Sequence, residues 1–336
     1  MSSEASLGYL VREFGDEEVM SWGQLPDLAL GDHEVAIDVA YAGVNFLDVH
    51  QRTGKYPRPL PFIPGNEGSG RVAAVGDGVV GLVPGDRVAF AMHGQGSYAQ
   101  RVHVRADRVA AVPDVVGLSD AAGSILQGVT ALCLVEEEAR VAPGQTVLVH
   151  SASGGAGASI VQVARHAGAA VLALVSSEQK RQLALDAGAR EVALYSDAAE
   201  YSTWVADLTG GAGASAVFDA VGGDLVLEDI RSLGPRGKVV LYGQTSGPFT
   251  PVPPGLLAAR SLSVVYSRIS AYIAEPGEFA RLAHRLFELM GAGAFAPSNL
   301  TVREAADAAQ AHRALTSRAS LGKTVLRVEA DSLRAD

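Results

Sequence analysis

The chain contains very little cysteine. Cys133 is its single cysteine among 336 residues, so neither an internal disulfide nor a cysteine-rich zinc site can form. The eight histidines are scattered, and no two of them are four residues apart, the spacing that places two ligands on one helical face. We therefore expect no metal ion in the functional site.

Charged residues are also sparse, at 19% of the chain. The 27 basic and 37 acidic residues leave a net charge of −10 without a long run of either sign, which disfavours a nucleic acid as partner. No stretch of about 18 uncharged apolar residues is present, and residues 1–18 carry acids where a secretory signal has a basic start. With 48% apolar residues to fill a core, we predict a folded, soluble protein of the cytoplasm that binds no membrane.

Through residue 115 the sequence is punctuated by glycine and proline. Short segments rich in β-forming residues lie between them, at 34–44, 70–76, 85–92 and 97–112. Several short strands separated by such turns are typical of a small antiparallel barrel or sandwich. This part of the chain is therefore predicted to form a β-rich domain.

From about residue 118 the pattern changes, because apolar strand-like runs now alternate with helical patterns. The strand-like runs lack the polar alternation of a half-exposed strand, and they lie at 146–150, 170–175, 191–195, 216–222, 238–243 and 262–267. This order predicts an α/β fold, a doubly wound parallel sheet of six strands with helices on both faces. Two helical stretches near 278–291 and 303–316 and a closing strand at 322–328 follow.

A glycine-rich turn follows the first of these strands and leads directly into a helix. Gly154 and Gly157 fit the second and third glycines of the dinucleotide-binding motif, whereas Ala152 stands in the first place. Such a turn lets a pyrophosphate approach the backbone N–H groups at the positive end of the helix dipole. The residues predicted to bind the cofactor here are Ser153, Gly154, Gly155, Ala156 and Gly157. The alternative is a turn that serves only close packing of the helix on the strand.

The end of the second strand distinguishes the two nicotinamide cofactors. An acidic residue there would bind the ribose 2′-hydroxyl of NADH and repel a 2′-phosphate. This sequence instead has Ser176 and Ser177, followed by Lys180. Two hydroxyls and an ammonium suit a phosphate, so we predict NADPH as the cofactor. The alternative for Lys180 is a solvated helix lysine, and Glu178 is interpreted as a first-turn residue behind a Ser177 cap.

A set of motifs in order along the chain resembles one family. They are VNFLDVHQRTGKYP (44–57), IPGNEGSGRVAAVGDGV (63–79), SASGGAG (151–157), DAVGG (219–223), YGQTSG (242–247) and RASLGKTVL (318–326). The chain thus resembles the zinc-free quinone oxidoreductase, or zeta-crystallin-like, branch of the medium-chain dehydrogenase/reductase superfamily. The resemblance implies a GroES-like catalytic domain at 1–120, a Rossmann cofactor domain at 121–268, and a segment at 269–336 that returns to the catalytic domain.

Zinc-dependent alcohol dehydrogenases of that superfamily have a G-H-E motif whose histidine ligates zinc, and this sequence has Asn66 at that position. Without a Lewis acid the substrate must be easier to reduce, as quinones and α,β-unsaturated carbonyls are. We therefore expect an NADPH-dependent, zinc-independent enzyme that transfers hydride to a small-molecule acceptor of this kind.

The resemblance also implies roles for single residues. Asn45 and Tyr56 match polar pocket residues that would hydrogen-bond the oxygen on which negative charge develops, although Asn45 in a turn and Tyr56 as a rigid lid remain alternatives. His50 is interpreted as a bystander. The residues implied at the cofactor are Thr130, Val221, Gly243 and Gln244 near the nicotinamide, Tyr195 near the adenine, and Arg318 near the phosphates.

Two rival functions stay open at this point. An enoyl-thioester reductase shares the fold and cofactor, and Arg52, Lys55 and Arg58 lie in the loop where such an enzyme needs basic residues. A non-catalytic NADPH-binding protein is the second rival. The uncharged, β-branched strand at 262–267 would lie at a sheet edge, and such an edge favours pairing with a second copy. We therefore expect a homodimer.

Overall fold

The computed structural model describes residues 6–26, 29–92, 94, 96–196, 200–317 and 321–328. The chain folds into two compact units. The β-rich unit comprises Met1–Leu126, Glu275–Gly293 and Asn299–Asp336, and the α/β unit comprises Gln127–Ala274 and Ala294–Ser298. The predicted domain boundaries at 120 and 268 each lie six residues before a unit boundary, and residues 269–274 and 294–298 of the predicted third segment belong to the α/β unit.

The described residues contain the following elements. The strands are β1 Leu7–Val11, β2 Met20–Gln24, β3 Glu34–Gly43, β4 Glu67–Val75, β5 Arg87–Ala91, β6 Arg101–Arg105, β7 Val109–Ala111, β8 Thr146–His150, β9 Ala170–Val175, β10 Glu191–Leu194, β11 Ala214–Asp219, β12 Leu233–Leu241, β13 Ser263–Tyr266, β14 Thr301–Glu304 and β15 Thr324–Arg327. The helices are α1 Phe46–Arg52, α2 Leu118–Leu132, α3 Gly155–His166, α4 Glu178–Ala187, α5 Tyr201–Leu208, α6 Leu225–Ser232, α7 Gly255–Ala258, α8 Ile269–Tyr272, α9 Glu278–Gly291 and α10 Ala308–Thr316.

The β-rich unit is built on a seven-stranded sheet in the order β14-β15-β3-β4-β5-β7, with β6 also paired to β3. Its pairs are antiparallel except β14 with β15, which run parallel. Strands β3 and β4 pair so closely at Gly70 that a Cβ there would lie 1.9 Å from the carbonyl oxygen of Asp38, so only glycine fits. Val35, Ile37 and Phe90 are fully buried in the core of this unit.

The α/β unit contains a six-stranded, entirely parallel sheet in the order β10-β9-β8-β11-β12-β13. The three middle residues of its central strand β8, Val147, Leu148 and Val149, are fully buried, as expected for a strand covered on both faces. The strand order reverses between β8 and β11, and ligands of open parallel sheets bind beyond the carboxyl ends of the strands at this point.

Several elements differ from the sequence-based prediction, among them the following three. The helix predicted from 303 begins only at Ala308, because Thr301–Glu304 pairs with β15 as strand β14. Strand β12 begins at Leu233 rather than 238, across glycine and proline residues that are typical of turns. Helix α1 was not predicted, since it is only seven residues long and interrupts a segment without helical periodicity.

One helical run among the described residues, Leu118–Glu138, is long and apolar enough to cross a membrane. It consists of α2 and a following π-helical turn, Cys133–Glu138. Of its most apolar window, 72% is buried inside the protein. A buried core helix meets the same criterion of length and composition, so the run is only a weak indication of a membrane span.

Candidate cofactor and substrate sites

The glycine-rich turn connects the carboxyl end of β8 to the first residue of α3. The N–H of Gly154 donates to the carbonyl oxygen of Ser151 over 2.9 Å. A Cβ on Gly157 would lie 2.3 Å from that same oxygen, so the first turn of α3 packs directly on the strand end. The first N–H groups of a helix have no partner within it and project outward beyond its N-terminus. Ala152, which occupies the first motif position, is fully buried. The turn and the first N–H groups of α3 together form a backbone cradle that fits a pyrophosphate.

Tyr195 lies beside this turn. Its hydroxyl accepts a hydrogen bond from the N–H of Ser151 over 3.1 Å and is 3.1 Å from Nδ1 of His150. Tyr195 is half-buried. The position, directly after β10, is where a ligand spread along the carboxyl edge of the sheet would pass.

The end of β9 brings two of the predicted phosphate-binding residues together. Lys180 Nζ donates to Ser176 Oγ over 3.2 Å, and Ser176 is exposed. Ser177 is at the N-cap position of α4, but its side chain makes no capping hydrogen bond. Glu178 forms an ion pair with Arg181 over 2.8 Å, so its negative charge is partly compensated next to this cluster.

The predicted nicotinamide-end residues follow β11 and β12. The N–H of Ser246 donates to the carbonyl oxygen of Val221 over 2.8 Å, which joins the two segments at the carboxyl edge of the sheet. Gly243 approaches Ala220 so closely that a Cβ would be 3.0 Å from its Cβ. Gln244 and Thr130 are half-buried in the same unit. Arg318, the remaining predicted cofactor ligand, lies outside the described residues.

In the β-rich unit, Asn45 is the N-cap of α1 and its side chain is held on both sides. Its Nδ2 donates to Glu67 Oε1 over 2.8 Å, and Lys323 Nζ donates to its Oδ1 over 3.0 Å. Lys323 also donates to Glu67 Oε1 over 2.5 Å, and both are almost fully buried. Asn45 is therefore both a cap and a side chain with a fixed orientation.

Tyr56 lies in the bend that follows α1. Its N–H donates to the carbonyl oxygen of His50 over 3.0 Å, and the two rings are 5.2 Å apart in a T-shaped arrangement. Burial and the nearby Lys55 both lower the pKa of His50 from its ordinary value. Asn45 and Tyr56 thus lie at opposite ends of α1.

The sequence analysis missed a buried cluster behind α1. Asp48 is fully buried, and its carboxylate accepts from the N–H of Asn45 over 2.8 Å and from Asn66 Nδ2 over 2.5 Å. The Tyr98 hydroxyl bridges Asp48 and His312, 3.1 Å from each. Burial raises the pKa of Asp48 to about 6 and lowers that of His312 to about 3. The N-x-x-D spacing of a capping box was the one sequence signal for Asp48.

Asn66 does not fit a zinc site. Its Nδ2 donates to Asp48 and, over 2.9 Å, to Gln51 Oε1, so the amide nitrogen presents hydrogens to its surroundings. Zinc sites in proteins use thiolate, imidazole and carboxylate donors. Across the part of the chain that the structure describes, no three or more His, Cys, Asp or Glu residues are grouped so that they could hold a metal ion.

Three basic residues, Arg52 at the end of α1 and Lys55 and Arg58 in the loop that follows, have different surroundings. We call this segment the α1 loop. Arg52 is 2% exposed, with Nη1 donating to the carbonyl oxygen of Gly15 over 3.1 Å. Arg58 is half-buried, its guanidinium lying over the ring of Phe62 at 5.2 Å. Lys55 is exposed. The loop therefore does not present three cations to solvent.

Residues 31–114 match the family model of the alcohol dehydrogenase GroES-like domain, and residues 155–288 match that of the zinc-binding dehydrogenases. The quinone oxidoreductase of Salmonella typhimurium is 35% identical over 316 residues, covering 93% of this chain and 96% of the relative. The 2-haloacrylate reductase of a Burkholderia species is 32% identical over 326 residues, covering 94% and 97%.

Among solved structures, the Escherichia coli quinone oxidoreductase complexed with NADPH superimposes with a TM-score of 0.89 at 31% identity, covering 96% of this chain and 99% of that chain. The predicted combination of a GroES-like domain and a Rossmann domain is thus confirmed, together with the resemblance on which it rested. The chain belongs to the quinone oxidoreductase family of the medium-chain dehydrogenases/reductases.

Proposed function

We propose that this oxidoreductase transfers hydride from NADPH to a quinone or an α,β-unsaturated carbonyl without a metal ion. The observation that carries the proposal is the glycine cradle at α3, where Gly157 leaves no room for a side chain, next to the Ser176–Lys180 pair. A backbone cradle suits a pyrophosphate, and a hydroxyl with an ammonium suits a 2′-phosphate. The complex of the Escherichia coli relative with NADPH supports the same cofactor.

In this mechanism the β-rich unit is the catalytic domain and the α/β unit is the cofactor domain. Bound NADPH supplies the hydride. Residues 153–157 hold the pyrophosphate, and Val221, Gly243 and Gln244 line the nicotinamide end. Asn45 and Tyr56 donate hydrogen bonds to the acceptor oxygen on which negative charge develops as the hydride arrives. Water then protonates that oxygen, which completes the two-electron reduction.

A spectrophotometric assay of NADPH oxidation with a panel of quinones and enones tests the proposal. We expect turnover with both classes and unchanged rates after treatment with a zinc chelator, because the donor set at Asn66 does not suit zinc. Absence of NADPH oxidation with every acceptor would leave the non-catalytic rival instead.

Replacing Lys180 by methionine is expected to raise the KM for NADPH about tenfold, equivalent to about 1.4 kcal/mol, because the 2′-phosphate loses its ammonium partner. The KM for NADH should stay within about twofold, since NADH lacks that phosphate. Lys180→Arg, which keeps the charge, is the matched control. Equal effects on both cofactors would show that Lys180 is only a surface lysine.

The enoyl-thioester reductase is a weaker candidate in view of the α1 loop. Arg52 is buried and bonded to Gly15, so it does not lie at the mouth of a groove for a phosphorylated substrate arm. We expect crotonyl-type thioesters to be reduced more slowly than simple quinones. Faster turnover of the thioesters would reverse the order of the two candidates.

We also propose a homodimer in the cytoplasm, with no membrane or nucleic-acid partner. Strand β13 ends the six-stranded sheet and carries no charge, and Tyr266 at its end is 46% exposed. Light scattering should give twice the 34.7 kDa chain mass, and Ser263→Lys should shift it toward the monomer, because a charge on an edge strand opposes pairing. A monomer mass for the unmodified protein would contradict the proposal.

A further inference from the structure

Behind the glycine-rich turn lies a buried ion pair that the proposed function does not use. His150, the last residue of β8, and Asp229, on α6, are both fully buried, and His150 Nε2 is 2.8 Å from Asp229 Oδ1. The Tyr201 hydroxyl donates to the same oxygen over 2.7 Å. Asp229 Oδ2 is also buried and has no hydrogen-bond partner within the described part of the chain. A pair of this kind is costly to bury.

The other ring nitrogen of His150, Nδ1, is linked to the glycine-rich turn through Tyr195. The Tyr195 hydroxyl lies 3.1 Å from His150 Nδ1 and accepts from the N–H of Ser151 over 3.1 Å. Ser151 is in the left-handed region, with φ of 49°, which is strained for a residue other than glycine. Its carbonyl oxygen accepts from Gly154 and abuts Gly157. Tyr195 therefore stabilises the residue on which the shape of the turn depends.

The number of protons in this chain of hydrogen bonds is limited. Ser151 N–H can only donate, so the Tyr195 oxygen accepts there and keeps one proton of its own. His150 Nε2 carries a proton because it faces a carboxylate. If Nδ1 is protonated as well, it donates to the Tyr195 oxygen, and the phenol proton is available to a third group. If Nδ1 is bare, the phenol proton is used by His150.

The surroundings favour the doubly protonated imidazole. Burial alone lowers the pKa of His150, whereas the buried carboxylates of Asp229 and Asp219 raise it, and Asp229 Oδ1 lies 2.8 Å from Nε2. Because the pKa is raised on folding, the stabilising contribution of the pair is complete below about 6.5. It is lost only as the pH rises through the higher folded value.

We propose that His150 is a positioning residue of the dinucleotide site: held by Asp229, it directs the Tyr195 hydroxyl outward as a hydrogen-bond donor to a phosphate oxygen of the cofactor. The identity of the ligand in this inference rests on the proposed function. The hydrogen bonds among Asp229, His150, Tyr195 and Ser151 do not depend on that function. The same hydroxyl accepts the hydrogen bond from the Ser151 N–H in the strained turn.

Fluorescence titration with NADPH tests the positioning role. Tyr195→Phe and His150→Gln should each weaken binding about tenfold, and the double variant should be no worse than either single one, because both remove the same hydrogen bond. The kcat at saturating NADPH should change by less than about twofold. His166→Gln, an exposed histidine at the end of α3, is the matched control. Additive effects, or unchanged binding in Tyr195→Phe, would overturn the inference.

Two measurements without nucleotide separate this inference from the proposed function. The NMR signals of the imidazole nitrogens of His150 should show both nitrogens protonated at neutral pH, and the Ser151 amide hydrogen should exchange faster with solvent in Tyr195→Phe.

A third measurement uses the nucleotide. The NADPH affinity of the unmodified protein should fall as the pH rises through the His150 pKa, and that fall should be missing in His150→Gln. If the unmodified protein binds no NADPH, the proposed function and the ligand fail together. A neutral imidazole or unchanged Ser151 exchange disproves the chain itself.

Discussion

Gly157→Ala is expected to weaken NADPH binding at least about 100-fold, equivalent to about 2.7 kcal/mol. The added Cβ would lie 2.3 Å from the carbonyl oxygen of Ser151 and 3.0 Å from the Cα of Ala152. Both neighbours are backbone atoms at the end of a buried strand, so they cannot move aside as a flexible side chain would. The first turn of α3 must then shift away from β8, and its N–H groups no longer converge on the pyrophosphate.

Gly255→Ala provides the control, because nothing lies within 4 Å of its added Cβ and it belongs to the same unit. Circular dichroism and thermal unfolding of both variants distinguish a local displacement of the turn from loss of the fold. We expect Gly157→Ala to retain its secondary structure. Normal NADPH affinity in a folded Gly157→Ala protein would contradict the assignment of the turn.

Lys323→Met is expected to lower the free energy of unfolding of the β-rich unit by about 3–5 kcal/mol, the usual cost of leaving one member of a buried ion pair alone. Lys323 is 3% exposed and Glu67 is fully buried. The same substitution should lower kcat with quinones, because Asn45 loses the donor that fixes its Oδ1. Urea unfolding followed by a probe in the β-rich unit measures the first effect.

Two further variants define the origin of this loss. Lys323→Met combined with Glu67→Gln should recover much of the stability, since no uncompensated charge remains buried. Lys238→Met breaks a pair with Glu138 in which Lys238 is 28% exposed, and it should cost no more than about 1 kcal/mol. Equal losses in Lys323→Met and Lys238→Met would show that burial does not control the strength of the Lys323 pair.

The α/β unit was predictable from the sequence because its signals are local. Strands β8 and β9 occupy the predicted ranges, since a continuous apolar run followed by a glycine turn or a helical pattern leaves few alternatives. The strand order and the edge position of β13 then follow from general rules of parallel sheets. The same locality explains why the Ser176–Lys180 pair, which spans one helical turn, was found from sequence.

The surroundings of Asn45 and Tyr56 could not be predicted in the same way. Asp48 is joined to Tyr98 across 50 residues, and Tyr98 to His312 across 214, so their proximity exists only in the folded unit. Lys323 and Glu67 meet across 256 residues. No periodicity links such partners, and a buried lysine or aspartate does not differ in sequence from an exposed one.

The discontinuous β-rich unit has a consequence for how the protein is made. Strand β15 pairs with β3 and directly follows Lys323. Both are translated after the entire α/β unit. During synthesis the nascent α/β unit therefore has nearly all of its contacts while β3 still has an open edge and Glu67 has no cation. We therefore expect the incomplete β-rich unit to expose this edge at that stage, and chaperone capture on the ribosome should concentrate on the segment that ends at Leu126.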